Sequence, residues 1–417
     1  MNIKSPTLRP IHPFPARMAP SIIQRRLKSS MPMRVVDPMV GSGTTIVTAR
    51  LYGHQAVGFD TDPLALLIAT AWSSDIDPDS LRALAVHTLI DARVRHCSLT
   101  AGKAYPQGAN QETRAFIRFW FDATNRRQLT ALASSIKRVS EPNAQAILWC
   151  AFSRMIITKS AGVSLAMDVS HSRPHKVYSV APIRPFEKFQ SALERVLRGS
   201  HFSPSQNLPA AEIRRADARA IPLSDSSVDL VITSPPYLNA IDYLRGHKLS
   251  LVWMGHQIDE LRELRSSNIG SERSHRSSSA VPYRATIEEV VSGFADLPVH
   301  AQAMLVQYFR DMDRVLAEVS RILTNEGTAV IVVGNSTIRG IFIKNSRILT
   351  RLARSNGLRL VSTRRRELQE NRRYLPPPAR AKPGAPLGSR MNEEVILTFL
   401  KMPVLAGADT NETRPTF

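Results

Sequence analysis

The sequence predicts an α/β protein with a mostly parallel sheet, interrupted by a largely helical insertion. Three observations lead there. An apolar run at 35–37 passes through a glycine turn and a helical stretch to a second buried-type strand at 56–60. Between about Asp75 and Asn207, apolar residues recur at three- and four-residue spacing. Strand patterns then resume at Val228–Thr233 and at 327–333.

Each element has its own warrant. Residues 35–37 (VVD) end in an acid and lead into Pro38-Met39-Val40-Gly41-Ser42-Gly43-Thr44-Thr45. Residues 46–51 have helix-compatible composition, Gly53-His54 reads as a turn, and 56–60 (AVGFD) reads as a strand. That succession is a βαβ unit, which implies a right-handed crossover and parallel pairing. Residues 63–71 (PLALLIATA) continue as a helix. Helical patterns in the insertion cover 79–94, 113–121, 126–139, 144–157 and 186–198. Afterwards 212–216, Val228–Thr233, 327–333 and 394–401 read as strands, and 308–323 as an amphipathic helix. The Ser/Arg-rich stretch 266–279 and the Arg/Pro/Gly-rich stretch 364–389 read as loops, and residues after Pro403 as a loose end. The expected division is 1–72, an insertion at 73–207, a second part at 208–402 and a tail at 403–417.

Composition narrows the function. The 417 residues hold 55 Lys+Arg against 35 Asp+Glu, a net charge of +20, which suits a polyphosphate partner. No apolar run approaches the roughly 20 residues of a membrane span. The first residues carry prolines and charges where a signal peptide would be apolar. Two cysteines, Cys97 and Cys150, exclude a disulfide scaffold, and a reducing cytoplasm is expected.

The glycine turn carries the first chemistry. Gly41 and Gly43 permit positive φ and close approach of a ligand to the backbone. Thr44 stands where a P-loop needs lysine, so nucleoside triphosphate hydrolysis is disfavoured. Ile46 stands where a dinucleotide fold wants its third glycine. S-Adenosylmethionine fits better, because it carries an amino acid and a nucleoside without phosphate. Asp37 is then the acid for its ammonium group, and Asp60, closing the next strand, the acid for its ribose. Asp62 is an adjacent candidate that spacing does not separate from Asp60.

The second motif is Thr233-Ser234-Pro235-Pro236-Tyr237, which follows VDLVI. Proline cannot donate to a ladder, so the strand ends abruptly there. In an open parallel sheet ligands bind beyond the carboxyl ends of the strands, which is where this tetrapeptide and the glycine turn are both expected.

These residues resemble the amino-methylating DNA methyltransferases, which act on N4 of cytosine or N6 of adenine. The likeness rests on 37–45, 58–63, 216–218 and 233–237. It also includes His12-Pro13-Phe14-Pro15-Ala16-Arg17, similar to the family's segment that closes over the methionine end of the cofactor. The resemblance implies a class I methyltransferase-like, doubly wound, mostly parallel seven-stranded sheet. It implies S-adenosylmethionine as cofactor, with His12, Phe14, Asp37, Gly41, Gly43, Thr44, Asp60 and Asp217 as its contacts, Asp217 at the adenine. Ser234, Pro235, Pro236 and Tyr237 then face the target base, with Tyr237 as a stacking surface for an extruded base. No metal is implied.

Ser234 in place of Asp or Asn favours N4-cytosine by the same resemblance. Methylation at C5 needs a cysteine in a Pro-Cys setting, which neither Cys97 nor Cys150 has. His171 and His175 flank Pro174 without a third ligand, so zinc is not expected. Arg173 and His175 in the basic loop 168–176 are candidate DNA contacts, as are Arg364, Arg365 and Arg372, with Arg366 in the same basic run. Residues 239–253 read as a pocket-lining helix that points Asp242, Tyr243, His247 and Lys248 toward substrate. The expected partner is double-stranded DNA, in a modification system with a restriction or defence component. Expected activity is cytoplasmic and nucleoid-associated, and the oligomeric state is left open. Three alternatives stand: an N6-adenine enzyme, an RNA or protein amine methyltransferase, and a silent DNA-binding relative.

Overall fold

A computed structural model describes residues 7–15, 17–27, 31–171, 174–238, 242–270, 281–368 and 393–403. The chain divides into two compact units. The first comprises Met1–Pro32, Val40–Arg215 and Asp242–Arg265; the second comprises Met33–Met39, Ala216–Ile241 and Ser266–Phe417.

The first unit is mainly helical, and its sequence shows why. Asp62-Pro63, Asp77-Pro78 and Glu141-Pro142 each place an accepting carboxylate at the N-cap and proline at the first helical position. They start the helices Pro63–Ser73, Pro78–Ser98 and Pro142–Ile156. Asn110 and Asp122 cap Gln111–Trp120 and Ala123–Ile136 in the same way. One apolar core joins these helices to Pro185–Leu197 and Tyr243–Met254 through Leu64, Trp72, Phe121, Phe152, Phe189 and Trp253. The unit also holds two parallel strands, Gln55–Asp60 and Ala211–Arg215, paired from Ala56↔Ala211 to Asp60↔Arg215.

Among the described residues, the second unit holds five strands of the main sheet. We number all seven sheet strands in chain order: β1 Arg34–Asp37, β2 Gln55–Asp60, β3 Ala211–Arg215, β4 Val228–Thr233, β5 Leu323–Val333, β6 Leu358–Glu367 and β7 Glu393–Lys401. Within the second unit the order is β6-β7-β5-β4-β1. β1, β4 and β5 run parallel, and β7 runs against both its neighbours. β4 over 230–233 and β5 over 329–333 are buried on both faces, as expected of parallel strands covered by helices. Helix Val299–Ile322 buries Leu305, Tyr308, Phe309, Met312, Leu316 and Val319, a helical stripe. The chain thus has an α/β fold with a seven-stranded, mostly parallel sheet.

Several boundaries differ from the sequence reading. The helices begin one to three residues earlier than periodicity suggests, because their caps and first turns are polar. Residues 364–367 are not loop but the end of β6, where Arg364, Arg365 and Arg366 pair with Ile396, Val395 and Glu394. An edge strand tolerates such a run of cations. Residues 369–392 lie outside the described residues, as do 271–280 and 404–417. Ser266 and Ser267 end the helix Ile258–Ser267 rather than starting a loop. The helix Val281–Val290 and the hairpin Ser336–Ile338 with Ile341–Ile343 had no strong period to announce them, whereas Asn345–Ser355 was passed over although Ile348, Leu349, Leu352 and Ala353 recur on one face.

Gly58 in β2 shows how tightly the strand is packed. A Cβ there would lie 2.7 Å from Val40 Cγ2, 3.0 Å from Ile213 Cδ1 and 3.2 Å from Ile46 Cγ1. Gly58→Ala is expected to destabilise the fold by about 1–3 kcal/mol, the usual cost of overpacking. A lowered urea midpoint checks this; an unshifted one contradicts it.

Candidate functional site

In the first unit the glycine turn is held by a carboxylate. Gly41 and Gly43 have φ of +49° and +86°, and Gly43 is the N-cap of helix Thr44–Leu51. The Gly41 N–H donates to Asp60 Oδ2 at 2.9 Å, and the Asp62 N–H to Asp60 Oδ1 at 2.9 Å. Asp60 therefore ties the turn to the loop after β2. Gly43 is required by packing as well, since a Cβ would sit 2.9 Å from Ala69 Cα. Thr44 is buried in the first helical turn, 3.3 Å from the Ser42 hydroxyl.

An aromatic cluster covers this turn. A Cβ on Gly41 would touch the Phe14 ring at 3.4 Å. Phe14 stacks on Tyr243 with centroids 5.4 Å apart and 22° between planes, and meets His247 at 5.3 Å. His247 Nδ1 lies 2.5 Å from Asp62 Oδ2, and that carboxylate also caps helix Pro63–Ser73 through Leu64 N–H. Burial pushes the Tyr243 phenol well up, and the Asp60 and Asp62 carboxylates add to it.

His12 is one layer deeper. Its Nε2 lies 2.9 Å from Ser153 Oγ, and Arg154 donates to the Ile11 carbonyl, so the 11–14 segment is fastened to helix Pro142–Ile156. Burial, then the nearby charges of Arg154, His247 and Arg17, holds His12 well below its ordinary pKa.

Each of the four side chains that the sequence reading turned toward substrate, Asp242, Tyr243, His247 and Lys248, has a partner within the first unit. Tyr243 and His247 are engaged as above, and Asp242 caps its helix and pairs with Arg245 and Arg265. Lys248 lies 5.2 Å from the Phe116 ring centre, where burial lowers its pKa.

In the second unit, Asp37 is buried at the end of β1 and accepts the Met39 N–H at 3.1 Å. Asp217 is half-exposed and pairs with Arg219 at 2.6 Å; Arg219 also reaches the buried Asp311 at 3.0 Å. Burial pushes the Asp217 carboxyl up, but the bonds and charge of Arg219 outweigh this and hold it below the usual range.

The 234–237 tetrapeptide follows β4 directly. The Pro236 carbonyl accepts the Tyr308 hydroxyl at 3.0 Å, and the Tyr237 hydroxyl donates to Glu394 Oε1 at 2.9 Å. Arg366 donates to Glu394 Oε2 from Nη2 at 2.6 Å and from Nε at 3.2 Å. Arg366 is thus engaged by a carboxylate, not presented as a phosphate clamp. Pro235 is buried and Ser234 half-buried.

The structure thus brings Phe14, Gly41 and Asp60 into one cluster, with His12 behind it. It places Tyr237 and Pro236 in another. Sequence reasoning missed Tyr308 and Glu394. Only Glu394 left a trace, an acid opening an otherwise apolar strand beside an arginine run.

Among the candidate DNA contacts, His175 is exposed on the short strand His175–Lys176, and Arg364 and Arg365 are exposed on β6. Arg173 and Arg372 lie outside the described residues. Burial pushes the Cys150 thiol up to about 12, which leaves it no nucleophile. Among the described residues no group of three or more His, Cys, Asp or Glu is placed to hold a metal, and no helix is long and apolar enough to cross a membrane.

The donor set fits S-adenosylmethionine. The first unit offers a positive-φ glycine turn without lysine, backed by a carboxylate and covered by an aromatic ring.

No family model matches the chain. It is similar to the Type II methyltransferase M.MvaI of Kocuria varians, 22% identical over 95% of this chain and 91% of that protein. It is also similar to the Type II methyltransferase M.BsoBI of Geobacillus stearothermophilus, 25% identical over 56% of this chain and 50% of that one. Among solved structures, a SAM-dependent methyltransferase of Methanosarcina mazei aligns over 92% of this chain and 98% of its own, at 8% identity and a TM-score of 0.33.

The buried His12 has a consequence for stability. Its folded pKa lies below the unfolded value near 6.5, so the unfolded chain takes up the proton first. The stability tied to this ring is complete above that value and is lost as the pH falls below it, by at most about 1.4 kcal/mol per pH unit. His12→Asn should flatten the decline in urea midpoint between pH 7.5 and 5.5, and equal declines in both proteins would contradict this.

Proposed function

We propose that the chain is an S-adenosylmethionine-dependent DNA methyltransferase that methylates the exocyclic N4 amine of cytosine in duplex DNA, the base being turned out of the stack. The carrying observation is the Ser234-Pro235-Pro236-Tyr237 sequence at the end of β4, with its Pro236 carbonyl and Tyr237 hydroxyl both tied down. The glycine turn backed by Asp60, the net charge of +20 and the two Type II methyltransferase relatives support the same reading.

An exocyclic amine is a weak nucleophile because its lone pair is delocalised into the ring. In this reading Ser234 Oγ and the Pro235 carbonyl accept its two N–H groups and favour the pyramidal form, which directs the lone pair outward. The two prolines fix φ at about −65° and hold those acceptors still. Tyr237 offers a ring face to the extruded base. The bound cofactor supplies a methyl already activated on a sulfonium, so no covalent intermediate on the protein is required.

On the cofactor side, Asp37 meets the ammonium, Gly41, Gly43 and Thr44 allow close backbone approach, and Asp217 meets the adenine. Asp60 serves the ribose: its two oxygens hold the backbone N–H groups of Gly41 and Asp62, which keeps the carboxylate at the end of β2 beside the glycine turn. Phe14 closes over the methionine end, with His12 anchoring the segment. Arg173, His175, Arg364, Arg365 and Arg372 are the proposed phosphate contacts, and a restriction partner is the proposed setting. Ser234 favours cytosine over adenine by the family resemblance, the adenine type presenting Asp or Asn at this place; that a serine accepts a weaker hydrogen bond than a carboxylate bears on rate.

Labelled methyl from the cofactor is expected in duplex DNA. Label in tRNA or protein but not in DNA would overturn the proposal. Binding and chemistry should also separate. Asp60→Ala is expected to weaken cofactor binding by about 1.5–3 kcal/mol, roughly ten- to 150-fold by calorimetry. Ser234→Ala should leave that affinity nearly intact and lower turnover, because its acceptor matters most as the amine pyramidalises. Loss of cofactor binding in Ser234→Ala would remove this residue from the base side.

A further inference from the structure

We propose that Glu394, Arg366 and Tyr308 are positioning residues that fix the Tyr237 ring and the Pro236 carbonyl in the conformation that receives the target base. The inference rests on the reading of residues 234–237 as the base-facing segment. It assigns roles to three side chains from three other elements.

The division of the Glu394 carboxylate is the central observation. Glu394 is 5% exposed, and a buried carboxylate is stable only when paired and hydrogen-bonded. Its Oε2 takes both bonds from Arg366, while its Oε1 takes the Tyr237 hydroxyl. Arg366 and Glu394 are direct cross-strand partners on β6 and β7, so the pair is set by the sheet register and not by a loop. The same carboxylate thus joins Arg366 to the Tyr237 hydroxyl.

Tyr308 works on the neighbouring residue. It projects from helix Val299–Ile322, is 1% exposed and donates to the Pro236 carbonyl. Burial pushes its phenol well up, so it remains a protonated donor across the working pH range. Proline lacks an N–H, so neither Pro235 nor Pro236 can anchor the segment by donating. A hydroxyl from a helix and a carboxylate from a strand supply the restraint instead. A ring whose hydroxyl is held at a fixed point keeps its long axis in one direction, which lowers the ordering cost of receiving a base.

Tyr237→Phe and Glu394→Gln test this, with duplex DNA carrying a fluorescent cytosine analogue at the target position. Tyr237→Phe keeps the ring and the Arg366–Glu394 pair and removes only the anchored hydroxyl. We expect kcat to fall roughly tenfold, as for loss of a hydrogen bond to a charged group, with KM for the cofactor within about twofold of the wild type. The analogue should brighten less on binding. The double variant should be no slower than the slower single one, because both remove the same restraint. Wild-type kcat and brightening in Tyr237→Phe, or additive losses in the double variant, would overturn the positioning role while leaving the proposed function standing. Failure of the wild type to methylate any DNA would overturn the functional reading and this inference with it.

Discussion

A strand that ends in two prolines has to be completed from outside its own ladder. β4 delivers Ser234 and then Pro235 and Pro236, which donate nothing, to the carboxyl edge where the strand stops. The polar groups that remain are met by side chains from distant parts of the second unit, Tyr308 at the Pro236 carbonyl and Glu394 at the Tyr237 hydroxyl. The register of β6 against β7 puts Arg366 opposite Glu394 and so pairs a buried carboxylate with a cation. The tetrapeptide is therefore held by the sheet and by helix Val299–Ile322 together.

The first unit solves a similar problem with a different acid. A turn with two positive-φ glycines has backbone donors that no ladder satisfies, and Asp60 accepts the one at Gly41 and another at Asp62. Asp62 in turn holds His247, and His247 and Tyr243 hold the ring of Phe14 against the turn. Asp60 and Asp62, adjacent and indistinguishable by spacing, are thus separated by their partners. Asp60 faces the turn, and Asp62 is a helix cap committed to a buried imidazole.

Much of the architecture was legible because its elements have strong periods or sharp punctuation. Val228–Thr233 is a largely apolar run, broken at Asp229 and closed by Ser234-Pro235-Pro236, and its predicted limits match the strand. Helices whose first turns are polar were read too short, as at Gln111–Trp120, because capping residues carry no apolar signal. β6 escaped notice for a related reason: its last residues are Arg364, Arg365, Arg366 and Glu367, and only an edge position makes such a strand affordable. The tetrapeptide and the glycine turn were visible as local sequence. Their supports were not, since Glu394 is 157 residues from Tyr237, Tyr308 is 72 from Pro236 and His247 is 185 from Asp62. Long-range hydrogen bonds leave no pattern in a single sequence.

The central claim is that Ser234-Pro235-Pro236-Tyr237 presents a cytosine amine to an activated methyl group. Mass spectrometry of nucleosides released from duplex DNA after incubation with the chain and S-adenosylmethionine tests it most directly. N4-methylcytosine is the product expected, and N6-methyladenine as the sole methylated nucleoside would contradict the assignment.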